Sequence, residues 1–373
     1  MSSRLGAPRI VFDPRDSGYH TFRIPAIVAR GGVLYAFCEG RRHGPGDAGE
    51  IDVVLRRSYD GGESWGELTV PSSVPATTCG NPTPVVDPGS GDLVLVTVQN
   101  GADADESTLA RGTDVSRTAR GASGAGPAPG AEAGRRVYVQ RSRDGVAFTP
   151  TTEITEQVKP ADWAWYATGP CHAIALTHGR YAGRIVVPAN HSRIPPPGAD
   201  PARYNGGHCI LSDDGGHTWR LGFVDDNDGP EINANETAVA ALPDGRLYFT
   251  ARNHRGTGPA RVHAWSTDGG EHLAAPYTGI GEITAPGIQG SVLAVGDRLL
   301  ATTPVHPEIR RELTVFGSDD AGASWRPELV LHAGMAGYSD LVALPDGRVG
   351  ALYESGATSS FAVLRFATFD PGS

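Results

Sequence analysis

One short turn motif recurs five times along the chain. Three copies fit Ser-x-Asp-x-Gly-x-x-Trp in full, and all five occupy residues 58–65, 142–148, 212–219, 266–273 and 318–325. The second copy is one residue short and ends in Phe148, and the fourth ends in Leu273. Each copy predicts a tight turn between two strands, with the Asp carboxylate accepting from backbone N–H groups and the terminal aromatic packed beneath the turn. Repetition of this kind is typical of a repeat architecture.

Strand-like runs precede these turns and predict an all-β fold. Residues 51–57 and 313–317 are two such runs, and Pro-Asp-Gly turns separate further short strands. Helical periodicity is almost absent. Four-stranded blades of roughly 40–50 residues predict a six-bladed β-propeller, which we expect to form one domain over residues 1–373. The strand at 8–12 is expected to complete the last blade beside residues 361–366.

One segment interrupts the repeats. Residues 101–134 are rich in Ala, Gly, Ser and Pro and contain hardly any large apolar side chain. Such a segment cannot pack a strand pair, so most of it is predicted to be a mobile loop inserted within a blade. The loop could be a plain insertion or a lid over a site.

Charge and cysteine usage exclude several classes of function. The chain has 42 acidic and 32 basic residues, a net charge of −10, which argues against a nucleic-acid surface. No apolar run reaches the ~20 residues of a membrane span. Because no signal-peptide pattern is present, a cytoplasmic location is predicted, although a secreted chain trimmed of its leader would have the same sequence. The spacing of Cys38, Cys79, Cys171 and Cys209 predicts buried thiols rather than disulfides or a metal site.

The segment Thr-Phe-Arg-Ile-Pro at residues 21–25 occurs once, before the first turn motif. It resembles the Phe/Tyr-Arg-Ile-Pro motif of sialidases, the glycoside hydrolases that release terminal sialic acid, and the five turns resemble the Asp boxes of that family. The resemblance extends from about residue 9 to residue 366. It implies a retaining exo-α-sialidase that acts on sialylated oligosaccharides or glycoconjugates and needs no metal or cofactor. It predicts no oligomeric state.

Sialidases bind the carboxylate of the sugar with three arginines, because a guanidinium fork matches a carboxylate bidentately. The resemblance assigns these roles to Arg23, Arg252 and Arg310. The adjacent Arg311 is an alternative to Arg310, since the sequence does not say which of the two faces inward. Arg42 resembles a further arginine near the C4 side of the sugar.

Sialidases are also the glycosidases that use a tyrosine nucleophile. The anomeric carbon of sialic acid carries a carboxylate, so an anionic attacker would be repelled whereas a neutral phenol is not. The resemblance assigns the nucleophile to Tyr338 and its partner base to Glu236, since a phenol with a pKa of ~10 needs a base beside it. Glu354 resembles the acid that pairs with Arg23 and fixes its fork.

Asp47, in the Gly-rich loop at 44–49, resembles the aspartate that protonates the leaving oxygen. Glu50 and Asp52 are alternatives for this acid. Asp52 begins a strand, however, and is expected to face solvent or cap the hairpin.

Two further stretches resemble the lining of the family's sugar site. Asn81 is a predicted sugar contact, and Trp165 or Tyr166 is expected to pack on the acyl or glycerol chain. The second stretch departs from the pattern, because Cys171 and Ala173 stand where bacterial relatives often have glycines.

A non-catalytic Asp-box propeller that binds glycans or proteins is the rival interpretation. It accounts for the repeated turns but gives no reason for Tyr338 and Glu236 beside three arginines. The same residues would also serve a transglycosylating enzyme, or a sialidase for the related deaminated nonulosonic acid. The sequence therefore leaves open the acyl group at C5 and the preferred linkage.

Overall fold

The computed structural model of the chain describes residues 5–110, 134–196, 198–226 and 229–372. These residues form an all-β fold, as predicted. The first twelve strands are β1 (Arg9–Phe12), β2 (Thr21–Arg30), β3 (Val33–Arg41), β4 (Ile51–Ser58), β5 (Thr69–Ser72), β6 (Thr77–Val86), β7 (Leu93–Gly101), β8 (Arg136–Ser142), β9 (Thr152–Glu153), β10 (Trp163–Thr168), β11 (Ile174–Ala175) and β12 (Ile185–Arg193). The next twelve are β13 (Asn205–Ser212), β14 (Arg220–Asp225), β15 (Ala234–Ala241), β16 (Leu247–Asn253), β17 (Arg261–Ser266), β18 (Thr278–Gly279), β19 (Ser291–Val295), β20 (Arg298–Pro304), β21 (Arg311–Ser318), β22 (Arg326–Ala343), β23 (Val349–Gly356) and β24 (Val363–Phe369).

Among the described residues, 3₁₀ turns at Pro14–Asp16 and Pro201–Arg203 and two short α-helices accompany the strands. The α-helices are α1 (Glu106–Ala110) and α2 (Thr155–Val158). Within the described ranges, neither has the length and apolar character that a membrane crossing requires.

The strands are arranged in four sheets. One sheet has the order β2-β3-β4-β6-β7-β8-β9 with β5 beside β4, and another has the order β10-β12-β13-β14 with β11 beside β12. The remaining sheets are β15-β16-β17-β18 and β1-β24-β23-β22-β21-β20-β19. Neighbouring strands pair antiparallel except for one parallel contact between β4 and β6. The long strand β22 pairs with β21 along its first part and with β23 along its second part.

The first and last strands of the chain lie side by side. β1 pairs antiparallel with β24, with Arg9 opposite Phe366. This confirms the predicted pairing of residues 8–12 with residues 361–366.

The Asp boxes form the predicted turns. In the first box the Ser58 hydroxyl donates to Asp60 Oδ1 at 2.8 Å, and the backbone N–H groups of Gly62 and Ser64 donate to the Ser58 and Asp60 side chains at 2.8 and 2.9 Å. The same Ser-to-Asp and Gly-to-Ser bonds recur in the boxes that begin at Ser142, Ser212, Ser266 and Ser318. Each of these serines is the last residue of a strand.

Apolar side chains fill the spaces between neighbouring strand groups. One cluster packs Val96 and Val139 against Val187, Ile210 and Trp219, and so joins two sheets. The four cysteines are free and buried, as predicted.

Most of the predicted loop insertion, residues 111–133, lies outside the described residues. Its described beginning contains α1 instead of a structureless loop. This helical turn and the residue before it bring two carboxylates, Glu106 and Asp105, into the wall of the cavity described next.

Candidate active site

A cavity of about 510 Å³ contains most of the side chains that the sequence assigned to chemistry. The predicted residues in its wall are Asp47, Asn81, Trp165, Glu236, Arg252 and Tyr338. The other lining residues are Ile24, Glu39, Arg41, Asp105, Glu106, Arg135, Ala167, Asn190, Asp200, Ala202, Asn235, His254 and Arg255.

Irregularities in five strands aim side chains into this cavity. Five strands each have one bulge against the following strand of their sheet, and a cavity-lining residue lies at each bulge. The strands are β2, β6, β10, β15 and β22. The residues at the bulges are Ile24, Asn81, Trp165, Glu236 and Tyr338. A bulge of this kind re-aims a side chain that regular pleating would point elsewhere.

A buried carboxylate, Glu354, holds two of these bulges. Its Oε1 accepts from the backbone N–H of Ile24 at 3.0 Å and from Arg23 Nε at 2.7 Å, and its Oε2 accepts from the N–H of Tyr338 at 3.0 Å. Ile24 has φ = 60°, a left-handed conformation that is strained for a β-branched residue. Glu354 therefore fixes both the Arg23 fork, as the resemblance implied, and the backbone beside it.

Glu39 holds the bulge of β6 in the same way, by accepting from a backbone N–H at the bulge and from an arginine side chain. Its Oε1 accepts from the N–H of Asn81 at 2.9 Å, and its Oε2 accepts from Arg41 Nε at 3.0 Å. Asn81 also has a left-handed φ of 51°. A Cβ on Gly80 would lie 2.5 Å from Glu39 Oε1, so only glycine permits this approach. The sequence analysis did not assign Glu39, although Glu39 and Arg41 are two residues apart in β3 and so lie on the same face of the strand.

Tyr338 and Glu236 form a direct hydrogen bond. Tyr338 Oη donates to Glu236 Oε1 at 2.5 Å, and Arg252 Nη1 donates to Glu236 Oε2 at 3.1 Å. Burial raises the pKa of Tyr338 well above its usual value, and the charge of Glu236 raises it further, while Arg252, Arg310 and Arg23 act to lower it. The phenol is therefore neutral at neutral pH.

The three predicted carboxylate ligands, here named the arginine clamp, converge on this tyrosine. Arg23 Cζ and Arg310 Cζ lie 5.1 and 5.4 Å from the centre of the Tyr338 ring, and Arg252 reaches its partner Glu236. Arg310, not Arg311, is the arginine beside Tyr338. Arg311 is exposed and donates to a backbone carbonyl of β22.

Asp47 lies at the rim of the cavity. Its side chain is 74% exposed, and its Oδ1 is 2.7 Å from Arg41 Nη1. The concave wall desolvates Asp47 and raises its pKa, but the charges of Arg41 and Arg23 outweigh this and hold the pKa below its usual value. Asp47 is thus ionised in the unliganded protein.

The assignment of Arg42 to the sugar site is wrong. Arg41 lines the cavity with 2% of its side chain exposed, whereas Arg42 lies outside it with 43% exposed and bonds Asp52 at 2.5 Å. Arg41 is the last residue of β3, whose register with β2 and β4 directs its side chain to the cavity, whereas Arg42 follows the strand in a bend.

The expectation for Asp52 is also wrong, because this carboxylate is buried. It accepts from the Tyr19 hydroxyl at 2.6 Å as well as from Arg42, and it does not line the cavity. Glu50, the other alternative acid, pairs with His43 at 3.0 Å and does not line the cavity.

Trp165, not Tyr166, lies in the cavity wall. Tyr166 is fully buried in the apolar cluster between two sheets. Trp165 instead contacts Arg135, whose Cζ lies 3.8 Å from the centre of the indole ring. Sequence analysis missed Arg135, because the low-complexity segment that precedes it gave no motif to interpret.

Comparisons with known proteins agree with this architecture. The family profile described as "BNR repeat-like domain" matches residues 32–351. The chain is 32% identical over 366 residues to an exo-alpha-sialidase of Aspergillus fumigatus, with 91% of this chain and 79% of the relative covered.

Solved structures share the fold. The chain resembles "Hadza microbial sialidase Hz136" with a TM-score of 0.80 and 24% identity, covering 98% of this chain and 68% of that one. It also resembles a leech intramolecular trans-sialidase with a TM-score of 0.79 and 17% identity, covering 98% and 70%. The profile and the fungal relative identify the family: the chain belongs to the sialidases, glycoside hydrolases with BNR or Asp-box repeats.

Proposed function

We propose that the protein is a retaining exo-α-sialidase, which releases terminal α-linked sialic acid or a closely related nonulosonic acid. The observation that carries this proposal is the 2.5 Å bond between Tyr338 Oη and Glu236, with the arginine clamp around it. A binding propeller has no use for a neutral phenol bonded to a carboxylate beneath three cations. An enzyme that must attack a carbon bearing a carboxylate needs all of these groups.

The clamp binds the carboxylate of the sugar and so fixes its anomeric carbon over Tyr338. Each guanidinium can donate two hydrogen bonds to a carboxylate, and the clamp is anchored in advance because Glu354 holds Arg23 and Glu236 holds Arg252.

Two displacements at the anomeric carbon give retention. In the first, Glu236 takes the proton of Tyr338 as the phenol oxygen attacks, and Asp47 donates a proton to the departing oxygen. In the second, Asp47 takes a proton from water, which attacks the tyrosyl intermediate, and the Tyr338 oxygen recovers its proton from Glu236. Both carboxyl groups return to their starting states.

Substrate binding also corrects the protonation of Asp47. In the unliganded protein Arg41 and Arg23 lower its pKa, so the acid form is scarce. A bound substrate carboxylate neutralises part of this positive charge and buries Asp47 at the rim. Both effects raise the pKa of Asp47 toward the value that a general acid needs.

We also propose that the strands form six blades in a single ring. Pairing supports the blades β2 to β5, β6 to β9, β10 to β14 and β15 to β18, followed by β19 to β21 with the first part of β22. The second part of β22 with β23, β24 and β1 is the sixth blade. The cavity then lies where the first strand of each blade approaches the axis.

The test is release of 4-methylumbelliferone from its α-sialosides by the purified chain, with the first sugar product identified by NMR. Release of the α-anomer supports a retaining hydrolase. The β-anomer would contradict retention, and a 2,7-anhydro sugar would identify an intramolecular transfer instead. Failure to release any of the N-acetyl, N-glycolyl and deaminated sugars would refute the proposal.

A second measurement locates the nucleophile. A 2,3-difluorinated sugar slows breakdown of the covalent intermediate, so the peptide that contains Tyr338 should gain the mass of one sugar. A label on Glu236 or Asp47 would contradict the mechanism.

A further inference from the structure

Buried side chains hold the backbone on both sides of Tyr338. The peptide group before its Cα atom is fixed by Glu354, whose Oε2 accepts from the N–H of Tyr338 at 3.0 Å. The peptide group after it is fixed by Gln289, whose Oε1 accepts from the N–H of Ser339 at 3.1 Å. Gln289 is 1% exposed and does not line the cavity.

The amide of Gln289 bonds both backbone groups of Ser339. Besides accepting from the Ser339 N–H, it donates through Nε2 to the Ser339 carbonyl at 3.0 Å. The Ser339 hydroxyl shares a further hydrogen bond of 2.9 Å with that of Thr302. One planar amide that pairs with the N–H and the C=O of a single residue fixes the orientation of both adjoining peptide groups. Gln289 therefore bonds Ser339 as the backbone of a paired strand would.

This support lies where the pairing of β22 with β23 is interrupted. The two strands pair at Ala336 and again from Ser339, and the shift between these points leaves Gly337 and Tyr338 without a partner in β23. A bulged residue lacks the ladder hydrogen bonds that orient its neighbours. The direction of the Tyr338 side chain consequently depends on the side chains that hold the bulge.

The residues beside Gln289 are fixed as well. Ile288 packs with Tyr338 in a small buried cluster, and its carbonyl accepts from Arg261 Nη1 at 3.2 Å. Two residues after Gln289, the Ser291 hydroxyl accepts from a backbone N–H of β22 at 3.2 Å. The position of the Gln289 amide is thus set by the fold before a substrate binds.

The contacts of Gln289 separate the nucleophile from the arginine clamp. Among the described residues its hydrogen bonds go to Ser339, to the carbonyl of Pro170 and to Cys171 Sγ, and none goes to a clamp arginine. The Tyr338 oxygen lies at the far end of a rigid ring, so a small rotation of the peptide group displaces it from Glu236. A misplacement of about 1 Å in a reacting group can lower a rate about 100-fold.

We propose that Gln289 is a positioning residue that sets the attack geometry of Tyr338, and that it acts on kcat and not on substrate affinity. The inference rests on the proposed function, because it requires Tyr338 to be the nucleophile. Without the amide, the N–H and C=O of Ser339 are buried without this partner, and the peptide group after Tyr338 is no longer held in one orientation.

The experiment is Gln289→Met, which keeps the length of the side chain but removes its amide. For a 4-methylumbelliferyl α-sialoside we expect kcat to fall at least about tenfold. The rate of covalent labelling by the 2,3-difluorinated sugar should fall by a similar factor, because the same bond forms. The Kd of the 2,3-unsaturated analogue of the released sugar, measured by calorimetry, should stay within about threefold of the wild type, since the clamp is intact.

Gln140→Met is the matched control. Gln140 is also buried, and its Nε2 donates to the carbonyls of Pro71 and Thr149 at 3.0 Å, away from the cavity. Its loss should lower the melting temperature but leave kcat and the labelling rate unchanged.

Tyr338→Phe distinguishes positioning from a general loss of structure. If Gln289 acts through the Tyr338 oxygen, adding Gln289→Met to Tyr338→Phe should lower the residual turnover by less than about threefold. An equal loss in both backgrounds, or an unchanged kcat in Gln289→Met alone, would overturn the inference and leave the sialidase proposal standing. A wild type that releases no sugar would refute the proposed function itself. If Gln289→Met does not fold, Gln289→Asn, which withdraws the amide by one methylene group, replaces it with the same expectations.

Discussion

The Tyr338 side chain makes two kinds of contact: its hydroxyl bonds Glu236, and its ring lies beside Arg23 and Arg310. Only the first of these depends on the hydroxyl oxygen. Tyr338→Phe keeps the ring between Arg23 and Arg310 but removes the atom that bonds Glu236. We expect a folded protein that loses most turnover, with a residue of activity because the clamp and Asp47 still stabilise an oxocarbenium-like transition state. Steady-state kinetics and thermal melting measure the two effects. Full activity in this variant would contradict the nucleophile assignment.

Two adjacent arginines allow a matched test of the clamp. Arg310→Ala should raise KM about ten- to hundredfold, because a lost charge-assisted contact is worth roughly 1.5–3 kcal/mol. Arg311→Ala should change KM little, since Arg311 is exposed and bonds only a backbone carbonyl in the described contacts. Reversed effects would show that the clamp residue is misassigned.

The resemblance to a known family was enough to bring Tyr338, Glu236 and Asp47 together as candidates, and the structure places all three in the wall of one cavity. The resemblance was not enough to choose Arg41 over Arg42. Arg41 is the last residue of β3 and Arg42 lies just beyond it, and only the pairing of β3 with its neighbours decides which of the two faces the cavity. Arg135 was missed because the low-complexity segment before it offers no motif, and Trp165, which it contacts, belongs to another sheet.

Among the elements, the bulged strands were partly visible in the sequence. Pro25 and Pro82 lie in β2 and β6 at the register shifts, and proline within a strand is confined to edges and bulges because it has no N–H to donate. The bulge of β22 against β23 contains no proline and contains Gly337 instead. The buried carboxylates that hold these bulges come from other strands, so local sequence could not predict them all.

Gly337 offers a test of this support. A Cβ there would collide with Glu354 Oε2, so Gly337→Ala should displace the carboxylate that holds Arg23 and the N–H of Tyr338. Overpacking of this kind costs about 1–3 kcal/mol, and we expect a lower melting temperature together with a higher KM.

The control for this substitution is Gly281→Ala, where a new Cβ meets nothing within 4 Å and the backbone is not left-handed. It should leave melting temperature and KM unchanged. If Gly337→Ala behaves in the same way, Glu354 does not position the clamp.

For the whole molecule, the repeated turns made the fold class predictable because their hydrogen bonds are local to each box. Contacts between strands that are far apart in the sequence were harder to predict. The single parallel contact of Ile51 with Thr78 and the continuity of β22 through two hairpins have no signal in composition or turn chemistry. Only the pairing of the first strand with the last could be anticipated, since a ring must close.

The Asp boxes also predict how stability depends on pH. Hydrogen bonds from Ser64 and Ser324 lower the pKa of Asp60 and Asp320 to about 2, from a usual value of 3.8. A depressed pKa in the folded state adds stability above the unfolded value, and this stability is lost as pH falls through the folded value. The melting temperature should therefore be nearly constant above about pH 5 and fall between about pH 4 and pH 2.

Scanning calorimetry of Asp320→Asn tests the cause. The variant should melt lower than the wild type at pH 7 but lose less between about pH 4 and pH 2. Asp16→Asn, an exposed carboxylate outside the boxes, is the control and should follow the wild type. An acid transition unchanged in Asp320→Asn would mean that other groups dominate it.

The antiparallel pairing of β1 with β24 joins the two ends of the chain and determines how the molecule responds to a pulling force. The N–H of Gly6 bonds the carbonyl of Thr368 at 2.7 Å, and the strand pairs follow inward from there. A force that pulls the two ends of the chain apart acts on this pair in the unzipping geometry, so its hydrogen bonds break one after another and not all at once. Tension should peel β1 away at low force and expose β24, whose other edge pairs with the strand that carries Glu354. In the proposed mechanism, such stretching would weaken the strand that supports Arg23 through Glu354 before most of the other sheets open.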